Sequence, residues 1–141
     1  MHEIGNNMEE NIKDRLIEEA IKMREMAYCP YSNYQVGAAL LTRSNKIYGG
    51  CNIENASYPA TICAERTAAV KAVSEGNKEF IAIAVAVSGK STGYPCGICR
   101  QFLNEFIEDD IPVLLINKDR EIVETMFREL FPHGFKGKDM D

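Results

Sequence analysis

The sequence lacks long hydrophobic runs and has no excess of basic residues. No segment approaches the roughly 18 consecutive apolar residues of a membrane-spanning helix, so we expect no membrane association. The first residues carry neither the basic nor the apolar region of a secretory signal, which predicts a cytoplasmic location. Lysine and arginine number 16 against 21 aspartates and glutamates, a net charge of -5. Proteins that bind a nucleic-acid polymer usually carry a basic surface, so we expect a small-molecule ligand instead.

Histidine is also scarce, whereas cysteine is not. The two histidines, His2 and His133, lie near the two ends of the chain. Five cysteines occur, at positions 29, 51, 63, 96 and 99. An odd number of cysteines in a chain without an export signal argues against a disulfide framework. It favours metal binding or thiol chemistry.

The length and composition predict one globular domain. The 141 residues include 45% hydrophobic and 26% charged side chains, close to the averages of folded domains. No internal repeat, linker or block of charge divides the chain. We therefore predict a single domain over 1–141, with flexible ends at about 1–7 and 136–141.

Helical periodicities alternate with short apolar runs along the chain. The predicted helices are 8–27 with Asn6 or Asn7 as N-cap, 61–75 with Thr61 as N-cap and Gly76 as its end, 96–107, and a helical turn at 127–131. The predicted strands are 36–42, 47–52, 80–88, 112–117 and 120–126. This alternation predicts an α/β fold of three layers (α/β/α), in which helices cover both faces of a mixed sheet of about five strands.

Three of the cysteines lie in the first turn of a predicted helix. Cys96 and Cys99 lie three residues apart, so both sulfurs can point to the same ion. Cys63 lies at the start of the preceding helix. A helix N-terminus favours the thiolate form, and α/β folds place ligands at the edge of the sheet where such helices begin. We therefore expect the three sulfurs to meet at one edge of the sheet.

Three thiolates without an obvious fourth protein ligand predict an open metal site. Structural zinc sites normally have four protein ligands, whereas catalytic sites keep one position for water. Glu65 lies two residues after Cys63 and is a candidate base beside that water. Cys29 or Cys51 could in principle complete the metal coordination, but neither has a partner at ligand spacing. A structural zinc ion, buried free thiols and a redox C-x-x-C motif remain as alternatives, but the redox motif gives Cys63 no role.

Several linked segments resemble the homotetrameric zinc-dependent cytidine deaminase family. They are YSNYQVGAA at 31–39, NIEN at 52–55, CAERTA at 63–68 and PCGICRQ at 95–101. The resemblance spans about 27–135 and implies one zinc ion (Zn²⁺) per subunit of a homotetramer with shared active sites. It also implies hydrolytic deamination of free cytidine and 2′-deoxycytidine to uridine and 2′-deoxyuridine, with release of ammonia, in pyrimidine salvage.

The resemblance also implies a role for individual residues. The zinc ligands would be Cys63, Cys96 and Cys99. Glu65 would be the catalytic proton carrier, and Arg66 would offset the negative charge of the thiolates. The substrate-binding residues would be Tyr34, Asn52, Glu54, the backbone of Ala64 and, in the site of a neighbouring subunit, Phe135. Tyr34 replaces the common phenylalanine of the family, and Tyr94 replaces the usual serine.

Two other functions stay open on the sequence. The first is deamination of another small aminopyrimidine nucleoside, such as blasticidin S. The family that carries out this reaction typically differs around 52–54 and at position 66, so cytidine is the favoured substrate. The second belongs to another class, a non-catalytic binding protein that zinc stabilises.

Overall fold

The computed structural model describes residues 9–140. The helices in this part of the chain are α1 (Glu10–Arg24), α2 (Ala64–Ser74), α3 (Gly97–Asn104) and α4 (Phe127–Leu130), with short 3-10 helices at Tyr58–Ala60 and Gly137–Met140. The strands are β1 (Val36–Thr42), β2 (Ile47–Cys51), β3 (Phe80–Val87), β4 (Pro112–Ile116) and β5 (Ile122–Met126). Among the described helices, none is long and apolar enough to cross a membrane.

The five strands form one mixed sheet in the order β2-β1-β3-β4-β5. Strands β3 and β4 are parallel, whereas the pairs β1–β2, β1–β3 and β4–β5 are antiparallel. The parallel pair needs a crossover connection, and α3 provides it between β3 and β4. The predicted α/β class with a mixed five-stranded sheet is confirmed.

Alternate side chains of the sheet face two different helical layers. On β3, Ile83 and Val85 belong to the apolar cluster that also contains buried residues of α2 and α3. Their neighbours Ala82 and Ala84 belong to the cluster on the other face, with Leu16 of α1. Because successive residues of a strand point to opposite faces, one continuous apolar run serves both layers. The three-layer arrangement is therefore present.

Helix α2 lies very close to β2 at Gly50. A Cβ atom at this position would lie 2.4 Å from the backbone nitrogen of Ala68 and 2.8 Å from the carbonyl oxygen of Ala64. A side chain here would push against backbone rather than against a movable side chain. Gly50 therefore fixes how close the N-terminus of α2 comes to the sheet, and this N-terminus carries part of the candidate site.

The start of α2 differs from the prediction. The helix begins at Ala64 with Cys63 as its N-cap residue, and not at Thr61. Ile62 pairs instead with Ile53, with backbone hydrogen bonds of 2.9 Å in both directions. Thr61 closes the short 3-10 helix through a bond to the carbonyl of Tyr58. Because of this long-range pairing, the helix begins later in the sequence than predicted. Cys63, a candidate metal ligand, is therefore its N-cap residue.

The other boundaries differ by a few residues. Helix α1 begins at Glu10 after Glu9, while the predicted caps Asn6 and Asn7 lie outside the described residues. Helix α3 ends at Asn104 rather than at 107. Gly76 follows α2 with φ +92°, as predicted for a helix end. The predicted flexible start also lies outside the described residues, 137–140 form a 3-10 helix, and the single domain stays a prediction.

Candidate active site

Three cysteine sulfurs meet where α2 and α3 begin. Cys63 and Cys96 are the N-cap residues of these helices, and Cys99 lies in the first turn of α3. Their sulfur atoms all lie within 4.8 Å of one another, and the Sγ atoms of Cys63 and Cys96 are 3.7 Å apart. Tetrahedral coordination with zinc–sulfur bonds of about 2.3 Å requires sulfurs about 3.8 Å apart. The donor set and its spacing therefore fit a zinc ion.

The protonation of these thiols also suits a metal site. A hydrogen bond from the Cys99 thiol, together with Arg66, lowers the pKa of Cys63 to about 5. The same bond raises the pKa of Cys99, and burial adds to this effect. Cys63 is thus a thiolate at neutral pH, and Cys99 holds a proton that a metal ion would displace on binding.

Arg66 lies directly beside the thiolates. Its Nη2 atom donates to the sulfur of Cys63 at 3.7 Å, and this interaction is the main cause of its raised pKa. Its buried Nε atom has no hydrogen-bond partner among the residues that the structure describes. A guanidinium that remains charged at all physiological pH values can offset the excess negative charge of three thiolates on one dication.

Glu65 is a buried carboxylic acid next to the sulfur cluster. It lies in the first turn of α2, and only 4% of its surface is exposed. Burial raises the pKa of Glu65 to about 7, with a further contribution from the charge of Cys63. A carboxyl group with this pKa exists in both protonation states at neutral pH, so it can accept a proton and give it back.

A cavity of about 290 Å³ opens over Glu65 and two of the cysteines. It brings together most of the predicted site residues: Tyr34, Asn52, Glu54, Cys63, Ala64, Glu65 and Cys96. Val85 and Val87 give it an apolar wall. Cys99, Arg66 and Phe135 are not among its lining residues. A larger groove of about 400 Å³ near Thr42 contains none of the predicted residues.

Asn52 and Glu54 shape the polar side of this cavity. The buried Asn52 amide donates to the Tyr34 carbonyl at 2.8 Å and accepts from the Val36 N–H at 2.9 Å. Glu54 accepts from the backbone N–H groups of Tyr31 and Ser32 at 3.0 and 3.1 Å, and from the Ser32 hydroxyl. The Ser32 hydrogen bond is the main cause of the lowered pKa of Glu54. Glu54 is therefore a fixed, ionised acceptor at the cavity wall.

Tyr34 lies against two glycines that the sequence did not single out. A Cβ atom at Gly93 would lie 2.9 Å from the Tyr34 hydroxyl, and one at Gly89 would lie 3.2 Å from its ring. These glycines leave room for the larger tyrosine ring. Burial and the charge of Glu65 raise the pKa of the Tyr34 phenol. Only the position of the glycines in a loop after a strand could have indicated this role.

Comparison with known proteins identifies a family with a zinc-binding region. Residues 10–115 match the model of the "Cytidine and deoxycytidylate deaminase zinc-binding region". The cytidine deaminase of Sporosarcina psychrophila is 48% identical over 127 residues, which cover 90% of this chain and 93% of the relative. That of Halalkalibacterium halodurans is 49% identical over 129 residues, covering 92% and 98%.

Solved structures agree in fold. The crystal structure of the cytidine deaminase from Burkholderia pseudomallei superimposes with a TM-score of 0.81 at 44% identity, covering 86% of this chain and 98% of that chain. The enzyme from Mycobacterium tuberculosis gives a TM-score of 0.72 at 34% identity, covering 87% and 96%. The similarity therefore extends over nearly the whole length of these proteins.

Proposed function

The chain belongs to the zinc-binding cytidine and deoxycytidylate deaminase family, and we propose that its substrates are free cytidine and 2′-deoxycytidine. Hydrolysis would yield uridine or 2′-deoxyuridine and ammonia. The observation that carries this proposal is the buried Glu65 carboxyl beside three convergent thiols, in a cavity with an ionised acceptor at its wall. A candidate proton carrier, a candidate metal site and a polar wall thus lie at one cavity of about 290 Å³.

Cys63, Cys96 and Cys99 would hold the zinc ion. Zinc, when bound, lowers the pKa of a water molecule to about 7 and so supplies a nucleophile at neutral pH. Glu65 would accept a proton from the water that adds to the amine-bearing carbon, and it would deliver that proton to the ring nitrogen. It would then move a second proton, from the newly added hydroxyl group, to the amine, and ammonia would leave as the C–N bond breaks and the carbonyl forms. Because burial raises the pKa of Glu65 to about 7, its carboxyl group can both accept and donate a proton near neutral pH.

Arg66 would tune the metal site through Cys63. We expect Arg66→Gln to lower zinc affinity and kcat by about 10- to 100-fold, because the charged donor to the Cys63 sulfur is lost. Zinc transfer to a chromogenic chelator and the rate of cytidine loss measure the two effects. Lys71→Gln removes a positive charge from an exposed position of the same helix and is the control. Equal zinc retention by Arg66→Gln and the wild type would contradict this role.

Asn52, Glu54, Tyr34 and the Ala64 backbone would bind the nucleoside. Glu54 suits ribose hydroxyls because it is an ionised acceptor held by two backbone N–H groups. We expect Glu54→Gln to raise the KM for cytidine about 5- to 20-fold with a smaller change in kcat, since a charged hydrogen bond becomes a neutral one. Steady-state kinetics measure this effect. The control is Glu108→Gln, which changes an exposed carboxylate on another part of the surface. An unchanged KM would exclude Glu54 from substrate binding.

We also propose a homotetramer in which subunits complete one another's sites. Phe135 supports this, because the residue is 55% exposed and is not among the residues that line the described cavity. Tyr58, Tyr94 and Ile98 are further exposed apolar side chains. Light scattering should give four times the chain mass. A stable monomer with full activity would contradict the shared site.

A cytoplasmic role in pyrimidine salvage agrees with this chemistry. The reaction uses free nucleosides, and zinc-binding thiols remain reduced in the cytosol. A substrate panel tests the assignment by ultraviolet absorbance: cytidine, 2′-deoxycytidine, deoxycytidine monophosphate, blasticidin S and single-stranded DNA. We expect turnover of the two nucleosides and not of the monophosphate or the polymer. Faster turnover of blasticidin S than of cytidine would move the assignment to the other nucleoside.

A further inference from the structure

Two amide side chains of α3 fix the backbone at Phe135. Asn104, the last residue of this helix, is fully buried, and its Nδ2 atom donates to the Phe135 carbonyl oxygen at 3.1 Å. Gln101, one turn earlier, donates to the same oxygen at 2.9 Å. The opposite end of this short helix carries Cys96 and Cys99, two of the three cysteines of the candidate metal site. One helix therefore holds two candidate metal ligands and the segment with Phe135.

Arg128 determines the orientation of the Asn104 amide. Its Nη1 atom donates to the Asn104 Oδ1 atom, and its Nη2 atom donates to the Ile107 carbonyl at 3.2 Å. The guanidinium also lies 5.4 Å from the centre of the Phe127 ring. A guanidinium can only donate and a backbone carbonyl can only accept. The amide therefore satisfies both neighbours in one orientation, with its nitrogen toward Phe135.

The turn before Phe135 is also packed without free space. His133 has a left-handed backbone with φ +57°. A Cβ atom at Gly134 would lie 2.4 Å from the Phe131 ring and 2.7 Å from the Asn104 amide nitrogen. After Phe135, the Lys136 ammonium donates to the Ile107 carbonyl. The backbone is thus fixed on both sides of Phe135, while the residue stays mostly exposed.

We propose that Asn104 and Gln101 are positioning residues for the reaction. They hold the backbone of Phe135 so that its exposed ring points to the nucleoside cavity of another copy of this chain. This inference rests on the proposed function, in which Phe135 completes a neighbouring site. An aromatic side chain on a fixed backbone loses little conformational freedom when a ligand packs against it, so positioning strengthens substrate binding without taking part in proton transfer.

A double-mutant cycle tests the proposal on the complete, zinc-loaded enzyme. Asn104→Asp keeps the side-chain shape and the partner of Arg128, but it places a carboxylate oxygen against the Phe135 carbonyl. We expect the KM for cytidine to rise about three- to tenfold, with kcat changed by less than about twofold and zinc content unchanged. Phe135→Ala should also raise the KM. Glu105→Gln, at the exposed neighbouring position, is the matched control and should match the wild type.

The decisive comparison is Asn104→Asp in the Phe135→Ala background. We expect less than about a twofold further change in KM there, because no ring remains to be positioned. An equal rise in both backgrounds would show a general structural role and overturn the proposal, as would no rise in either. If Asn104→Asp does not fold, Gln101→Met gives the same cycle with the same criteria. Failure of the proposed function differs from this result, because the wild type itself would not deaminate cytidine.

Discussion

Glu65→Gln is expected to lower kcat for cytidine by about 10⁴-fold or more while zinc remains bound. Glutamine has the same shape as glutamate, but its amide cannot accept or return a proton. A single proton transfer by a positioned side chain contributes about 10²- to 10⁴-fold, and Glu65 would serve several transfers in one turnover. The cysteine sulfurs are unchanged, so one zinc ion per chain should be retained.

Absorbance assays, zinc analysis and thermal unfolding separate the possible causes of this loss. We expect the melting temperature of Glu65→Gln to be no lower than that of the wild type, because a neutral amide replaces an ionisable group in a buried position. Glu108→Gln should be fully active. A Glu65→Gln enzyme with more than about one hundredth of wild-type kcat would remove Glu65 from the role of proton carrier.

The second large effect is expected from Cys99→Ala, which removes a buried cysteine that we propose as a zinc ligand. The two remaining thiols should bind zinc far more weakly than three do, so the deamination rate should fall to the uncatalysed background. Stability should fall as well, because a ligand present at about 1,000 times its Kd stabilises the folded state by about 4 kcal/mol. Removal of the metal from the wild type with a chelator should also lower the melting temperature, as Cys99→Ala should.

Cys29→Ala is the matched control, since Cys29 lies outside the sulfur cluster. It should retain one zinc ion per chain and full activity. The measurements are zinc content after dialysis, kcat and the melting temperature. Stoichiometric zinc with high activity in Cys99→Ala would contradict the assignment of Cys99 as a ligand.

The sheet and the metal site were predictable because their signals are local. The apolar run at Phe80–Val87 is too short for a helix that spans the core, and it serves both faces of the sheet. Cys96 and Cys99 are three residues apart, so at the start of a helix they lie on the same face. The pairing of Ile62 with Ile53 is not local, and it moved the start of α2 away from the predicted cap at Thr61.

The supporting residues of the site were not predictable for a similar reason. Asn104 is bonded to Phe135, 31 positions later, and Gln101 to the same residue, 34 positions later. Gly50 and Gly93 matter because a side chain there would meet an adjacent helix and the Tyr34 hydroxyl, respectively. These contacts depend on how the finished layers pack, so a pattern in one stretch of sequence cannot indicate them.

The proposed function is tested most directly by the product stoichiometry of the zinc-loaded wild type with cytidine. Chromatography should show one uridine formed for each cytidine consumed, and an enzymatic ammonia assay should show one ammonia for each uridine. We expect this ratio to hold over many turnovers per chain. A protein with one zinc ion per chain that leaves cytidine unchanged would contradict it, and would indicate a binding protein that zinc stabilises.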